Sequence, residues 1–164
     1  MKINQYDVFL CEDKIPYLVK NNSFEYEYDA FNTPDVIIRM MNMFYDLENR
    51  AEEYVYLLAL DNQFKCLGVF EVSHGTQYET TLSPRCVCMR ALLCGASSVV
   101  IMHNHPSGSR DISSGDKKNT ELIGEALNRI GISLTDHIVV FSGGYASFRE
   151  HRLIGIEEPN LVLV

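Results

Sequence analysis

The sequence predicts an α/β (α+β) sandwich in which a mixed central sheet is flanked by helices. The chain has 164 residues, the size of one ordinary domain. Apolar residues make up 46% of it and charged residues 22%, so a sizeable core can form and wholesale disorder is excluded. Strand-like and helix-like segments alternate in the order β-α-β-α-β, which is typical of a layered architecture.

Residues 1–30 are predicted to form a pair of strands. Two short apolar stretches, at 8–10 and 17–19, are separated by the polar turn at 12–14. We therefore divide the chain into an N-terminal strand extension, residues 1–30, and a main domain, residues 31–164.

Three helices are predicted in the main domain. The Thr-Pro-Asp sequence at 33–35 combines an N-cap, a proline at the first helical position and an early acid. Apolar residues follow at helical spacing, which predicts an amphipathic helix over 34–49. Ser83-Pro84 begins a second helix that stops at Gly95, and a third helix is expected over 114–130.

The remaining apolar runs are predicted to be strands. They lie at residues 54–60, 65–72, 97–102, 133–141 and 145–148. The first two form a hairpin, and the third is almost wholly apolar, as expected for a strand in the middle of a sheet.

Charge and hydropathy exclude several classes of function. The chain carries 14 basic and 22 acidic residues, a net charge of −8, so nucleic acid is not expected as a direct ligand. The longest apolar run, residues 54–60, is too short to cross a bilayer, and the N-terminus lacks an apolar signal region. We expect no membrane association and a cytoplasmic location.

The five cysteines are predicted to be free. Their number is odd, and Cys86-x-Cys88 has no second cysteine pair and no nearby histidine to complete a tetrahedral metal set. We expect these cysteines to act as small buried hydrophobic residues.

Residues 99–116 contain the candidate site. A buried strand delivers His103 and His105 at its C-terminal end, where alternate residues point to one side. Asp116 begins the next helix, after a polar loop that can fold back over the strand end. Two histidines and a carboxylate form a catalytic type of zinc site, which leaves one position open for water.

The competing interpretation is that the two histidines only satisfy loop hydrogen bonds, and spacing alone leaves both interpretations open. The complete pattern, His-x-His-Pro-x6-Ser-x2-Asp, fixes five positions in fourteen and favours the metal.

This pattern resembles the JAMM (MPN-plus, or JAB) zinc metalloprotease family, and within it the RadC-like branch. The run at 103–108, Ser113 and Asp116 match that branch position by position. Further matches lie at Gly75-Thr76, Ser83-Pro84-Arg85, residues 134–138 and Tyr145-x-Ser147. The resemblance covers residues 34–153 and implies a JAB1/MPN-like, cytidine-deaminase-like sandwich.

The resemblance also implies the chemistry of the site. His103, His105 and Asp116 would bind Zn²⁺, and Ser113 would hydrogen-bond the oxyanion or the bound water. The branch places a general-base glutamate eight residues before the Asp that closes the first long strand. Counting back from Asp61 gives Glu53, although Glu71 on the partner strand is a rival. The implied reaction hydrolyses an amide bond in a peptide or protein-conjugate substrate.

Two alternatives stay open. RadC-like chains usually carry Asp-Pro-x-Pro before the serine, whereas this chain has Ser-Arg-Asp-Ile at 109–112, so the loop should be less rigid. That change favours a non-catalytic interaction module. A DNA-repair-associated RadC-like factor is the weaker alternative, because the chain is expected to be too short for the helix-hairpin-helix module of longer RadC proteins. Edge strands near both termini also offer a route to a homodimer.

The other three histidines are not predicted to bind metal. His74 is expected in a loop role, His137 as a core histidine with satisfied hydrogen bonds, and His151 in a solvated segment.

Overall fold

The computed structural model describes residues 1–75 and 82–154. Its strands and helices alternate as the sequence predicts. In chain order they are β1 (Lys2–Leu10), β2 (Pro16–Glu25), α1 (Pro34–Tyr45), β3 (Tyr54–Leu60), β4 (Cys66–His74), α2 (Pro84–Leu93), β5 (Ser98–Asn104), α3 (Ser114–Asn128), β6 (Ser133–Phe141) and β7 (Gly144–Ser147).

All seven of these strands form one mixed sheet. Their order is β2-β1-β4-β3-β5-β6-β7. The pairs β1–β4 and β5–β6 are parallel, and the other neighbours are antiparallel. The β5 strand lies between β3 and β6 and is buried along its whole length, which confirms its predicted place in the middle of the sheet.

Helices cover both faces of the sheet. The α1 helix packs on the face that carries Tyr56, Val100 and Met102, which we call the α1 face. The helices α2 and α3 pack on the opposite face, with Val55 and Ile101, which we call the α3 face. The predicted sandwich is therefore confirmed as three layers, because successive side chains of a strand alternate between two helical layers.

The first and third predicted helices are too long at their C-termini, whereas the second stops before Gly95 as predicted. The first helix ends at Tyr45 rather than at residue 49, because Asp46 adopts a left-handed conformation with φ +48°. The chain continues as a 3-10 turn, Leu47–Asn49, and Leu47 is fully buried, which produced the helical spacing in the sequence. The second helix ends at Leu93 and the third at Asn128, each shortly before a glycine with positive φ.

The N-terminal extension is a hairpin that joins the sheet. β1 and β2 pair over their full length, further than the apolar stretches predicted, and β1 also pairs with β4. Ile3 is fully buried in the core on the α1 face. The ring of Tyr6 lies so close to Gly68 that a Cβ there would come within 2.8 Å of it.

All five cysteines are free, as predicted, but each is half-buried rather than fully buried. Burial raises the pKa of Cys66 to about 12 and that of Cys94 to about 11, so both remain thiols at neutral pH. Within residues 1–75 and 82–154, no helix is long and apolar enough to cross a membrane.

Candidate metal centre

The two histidines of the candidate site stand at the C-terminal end of β5. His103 is the last residue of β5 that faces α3, and it is 98% buried, with a relative exposure of 2%. His105 follows two residues later and is half-buried. The predicted alternation therefore brings both imidazoles to the same side of the sheet.

The N-terminus of α3 positions the carboxylate. Ser113 is the N-cap, and its Oγ accepts a hydrogen bond from the Asp116 N–H at 3.0 Å. The Asp116 Oδ2 in turn accepts hydrogen bonds from the Ser113 N–H at 3.0 Å and the Ser113 hydroxyl at 2.6 Å. This reciprocal capping box, together with the helix dipole, holds Asp116 as an anion beside the strand end.

The ligand atoms of the three predicted metal-binding residues converge. His103 Nε2 lies 3.1 Å from His105 Nε2 and 3.3 Å from Asp116 Oδ1, and His105 Nε2 lies 3.6 Å from Asp116 Oδ2. Tetrahedral zinc with ligand distances of 2.0–2.2 Å needs donor atoms roughly 3.3 Å apart. The three side chains therefore fit a zinc ion.

The electrostatics of the cluster also favour one cation. Burial lowers the pKa of His103 to about 4, so this imidazole is neutral. Burial opposes ionisation of Asp116, but hydrogen bonds from His105 and Ser113 hold its pKa below the usual range. The hydrogen bond to Asp116 raises the pKa of His105. A proton on His105 and a metal ion between the three donors are therefore competing ways to neutralise the carboxylate.

Each histidine presents Nε2 to the cluster because its Nδ1 has another partner. His105 Nδ1 donates to the Ser109 carbonyl at 3.1 Å, and His103 Nδ1 lies 2.8 Å from His137 Nε2. Such outer partners fix the orientation of metal-binding histidines.

The predicted base, Glu53, lies on the same face as the metal cluster. Val55 pairs with His103 across β3 and β5, and continuing this antiparallel register by two residues places Glu53 opposite His105. Glu53 is half-buried, and its charge adds to the effect of Asp116 in raising the pKa of His105.

Glu52, the neighbour of Glu53, and the rival candidate Glu71 have partners elsewhere. Glu52 is exposed and pairs with His74 at the end of β4. Glu71 is the cross-strand partner of Tyr56, whose hydroxyl donates to it at 3.3 Å, so it lies on the α1 face of the sheet.

Asn104, between the two histidines, holds the segment that carries Glu53. It is fully buried, and its Oδ1 accepts from the Tyr54 N–H at 2.9 Å. Its Nδ2 donates to the carbonyls of Arg50 at 3.2 Å and Glu52 at 3.0 Å. Sequence reasoning gave Asn104 no role, although a polar residue on the otherwise apolar α1 side of a buried strand is the signal that marks it.

The remaining histidines agree in part with expectation. His137 is buried and satisfied, as predicted, but its contact with His103 was missed. His74 is the last residue of β4 and stacks on Tyr54, so it lies at a strand end before Gly75. His151 is exposed, as predicted. The motif residue Thr76 lies outside the described residues.

The loop that lacks the two prolines is anchored at both ends. Its Ser109 carbonyl accepts the His105 hydrogen bond, and Ser109 Oγ accepts from the Asp111 N–H at 3.3 Å. Ile112 packs against the cluster that contains Val139 and Phe148.

A mixed-sheet sandwich with two histidines at a strand end and an aspartate at the next helix start defines a JAB-type domain. A protein-family model described as RadC-like JAB domain matches residues 31–153. The chain belongs to this RadC-like JAB family, which confirms the resemblance stated from its motifs.

Curated relatives agree with the family assignment. UPF0758 protein PM1152 of Pasteurella multocida is 40% identical over 108 residues, 66% of this chain and 48% of that protein. A UPF0758 protein of Haemophilus ducreyi is 34% identical over 124 residues, 76% of this chain and 55% of that protein. UPF0758 protein Smlt0399 of Stenotrophomonas maltophilia is 36% identical over 130 residues, 79% of this chain and 55% of that protein. The chain spans about half the length of these relatives.

Proposed function

We propose that this chain is a zinc-dependent metallohydrolase of JAMM type that hydrolyses a peptide or isopeptide amide bond. The single observation that supports this is the convergence of His103 Nε2, His105 Nε2 and the Asp116 carboxylate within 4.8 Å of one another. Membership of the RadC-like JAB family is compatible with it. We also propose a cytoplasmic location, because five free cysteines suit a reducing compartment.

The side chains have separate tasks in this proposal. His103, His105 and Asp116 hold the ion, which when bound acts as a Lewis acid and lowers the pKa of water to about 7. Glu53, opposite His105, accepts the proton of the attacking water and returns it to the leaving amine.

Ser113 orients the Asp116 carboxylate with its hydroxyl proton. The oxyanion role implied by the resemblance needs that hydroxyl to leave Asp116 during the reaction.

The substrate is proposed to be a peptide or a protein conjugate. The histidines lie at the C-terminal end of β5, which runs parallel to β6, so we propose that substrate approaches from this end of the two strands. Ligands of open α/β sheets commonly bind at this end.

The decisive experiment measures metal content and uptake. After purification without a chelating tag, we expect about one equivalent of zinc per chain, and an Asp116→Asn variant should lose it while a Glu52→Gln variant keeps it. A wild-type protein that contains no zinc and takes up none would overturn the proposal. A peptide-library cleavage screen on the zinc-loaded protein then tests hydrolysis.

A non-catalytic interaction module is the second candidate function. The observation that favours it is the Ser113 hydroxyl, whose single proton is directed at Asp116 rather than toward a substrate. This candidate predicts that the protein binds zinc but cleaves no peptide or conjugate, and that Glu53→Gln changes neither property.

A further inference from the structure

A buried hydrogen-bond chain links two of the proposed metal ligands behind the site. His103 Nδ1 lies 2.8 Å from His137 Nε2, and His137 Nδ1 lies 2.6 Å from Thr120 Oγ1. Thr120 Oγ1 also lies 2.6 Å from the backbone carbonyl of Asp116. All three side chains are at least 96% buried, with relative exposures of 2%, 2% and 4%.

Counting the protons available to these groups shows which atom donates in each hydrogen bond. The Asp116 carbonyl can only accept, so the single hydroxyl proton of Thr120 must be donated to it. Thr120 Oγ1 then accepts from His137 Nδ1–H, which leaves His137 Nε2 without a proton. That nitrogen can only accept, so His103 must carry its proton on Nδ1.

The consequence for the metal site lies at the other ring nitrogen of His103. With the proton on Nδ1, His103 Nε2 presents a lone pair to His105 and Asp116, as a metal ligand must. The opposite direction of these hydrogen bonds would put a proton on His103 Nε2 and prevent that nitrogen from binding a metal ion. It would also leave two oxygen lone pairs, those of Thr120 and Asp116, facing each other at 2.6 Å.

We propose that His137 and Thr120 are positioning residues that hold His103 in its metal-binding tautomer and tie it to the helix that carries Asp116. The proposal rests on the metal site of the proposed function. The two residues thereby fix two proposed ligands relative to each other. His103 lies on β5, and Asp116 lies with Thr120 in the first turns of α3.

The surroundings of His137 make it a rigid link. Its ring stacks on Phe148 with centroids 4.7 Å apart and planes 16° apart. Its backbone N–H donates to Asp136 Oδ1 at 2.8 Å, and this buried carboxylate also accepts from the Ser147 hydroxyl at 2.6 Å. The Asp-His pair that the sequence places on β6 is thus a support for the metal ligand on β5.

The sharpest variant removes only the hydroxyl of Thr120. In Thr120→Val, nothing fixes the direction of these hydrogen bonds, and His137 Nε2–H is able to donate to His103 Nδ1. Substitutions of residues that hydrogen-bond to metal ligands typically weaken metal affinity by about 10–100-fold. We expect a loss of about this size for zinc, measured by competition with a chromophoric chelator, while Thr120→Ser stays within about threefold of wild type.

Measurements on the metal-free variants distinguish a loss of folding from a loss of zinc affinity. His137→Leu, which removes the acceptor of His103 Nδ1, should weaken zinc binding in the same way if it folds. Circular dichroism and the melting temperature without metal show which variants are folded. Zinc affinity within threefold of wild type in folded Thr120→Val would overturn the proposal.

A measurement without metal distinguishes this inference from the proposed function. Long-range ¹H–¹⁵N NMR correlations of the imidazoles report which ring nitrogen carries the proton. We expect the Nδ1–H tautomer for both His103 and His137 in the metal-free wild type. An Nε2–H tautomer of His103 would overturn the proposed role of His137 and Thr120. A wild-type protein that has the expected tautomer but binds no zinc would overturn only the proposed metallohydrolase function.

Discussion

Glu53 lies close enough to His105 for its carboxylate to raise the pKa of that imidazole, beside the three proposed metal ligands. This position follows from the Val55–His103 pair, because two strands in fixed antiparallel register bring every second residue to the same face. A carboxylate beside the cluster that is not one of its three proposed ligands is what the proposed general base requires.

The first prediction concerns the identity of the base. Glu53→Gln keeps the shape of the side chain but cannot accept a proton, so turnover should fall by about 10²–10⁴-fold with zinc still bound. Amide hydrolysis and zinc content are measured on the same preparation. Glu52→Gln and Glu71→Gln are the matched controls, since Glu52 pairs with His74 and Glu71 lies on the α1 face. Loss of turnover in Glu71→Gln with full activity in Glu53→Gln would reverse the assignment.

The second prediction concerns the support of that base. Asn104→Ala removes three hydrogen bonds to the segment before β3 and leaves the buried partners unpaired. Each unsatisfied buried group costs about 1–3 kcal/mol, so the free energy of unfolding should fall by several kcal/mol in denaturant titrations. Turnover should fall more than zinc affinity, because Asn104 faces away from His103 and His105. An equal fall in both would show that Asn104 supports the ligands rather than Glu53.

The third prediction separates two roles of Ser113. If its hydroxyl holds Asp116, Ser113→Ala lowers zinc affinity, and loss of an N-cap costs about 1 kcal/mol of stability. If the hydroxyl serves only the oxyanion, zinc affinity is unchanged and turnover falls by about 10²–10³-fold. From the 2.6 Å bond to Asp116 Oδ2 we expect the first outcome. Chelator competition and hydrolysis rates decide between them, with Ser114→Ala, one residue into the same helix, as the control.

The convergence of the three proposed metal ligands was predictable from the sequence because it is local. A buried strand fixes the side on which His103 and His105 emerge, and a short loop returns the chain to the helix that begins with Asp116. Alternation along a strand and capping at a helix start are both properties of consecutive residues.

The supports of these ligands were not predictable because they are not local. Asn104 binds a backbone N–H 50 residues away, and His103 contacts His137 34 residues away. Both contacts depend on β3 and β6 being the neighbours of β5, and periodicity does not determine strand order. The left-handed Asp46 was missed for a different reason, since the buried Leu47 continued the helical spacing beyond the end of α1.

The fourth prediction tests whether residues 1–30 are an independent extension. Ile3 of β1 is fully buried against the core of the main domain, so Ile3→Ala should lower the free energy of unfolding by about 2–5 kcal/mol. Phe9→Ala, on the same strand but 51% exposed, should change it by less than about 0.5 kcal/mol. Denaturant unfolding followed by circular dichroism measures both. No change in the midpoint of Ile3→Ala would mean that the hairpin folds as a separate unit.

The fifth prediction concerns the acid stability of the metal-free protein. Burial lowers the pKa of His103 to about 4 and that of His137 well below its ordinary value. In the unfolded chain both imidazoles have a pKa of about 6.5, so between pH 6.5 and 4 the unfolded state binds more protons than the folded state. The free energy of unfolding must therefore fall as the pH is lowered through this window.

Two neighbouring groups oppose this slope at its ends. The raised pKa of His105 does so near and above pH 6.5, and burial raises the pKa of Asp136, which does so at the acid end. The lowered pKa of Asp116 adds to acid sensitivity only at lower pH. Each buried imidazole contributes a slope of up to about 1.4 kcal/mol per pH unit. Denaturant titrations from pH 7 to pH 4.5 measure the slope. A flat profile would mean that His103 and His137 bind protons in the folded protein as readily as in the unfolded chain, which would contradict their burial as neutral imidazoles.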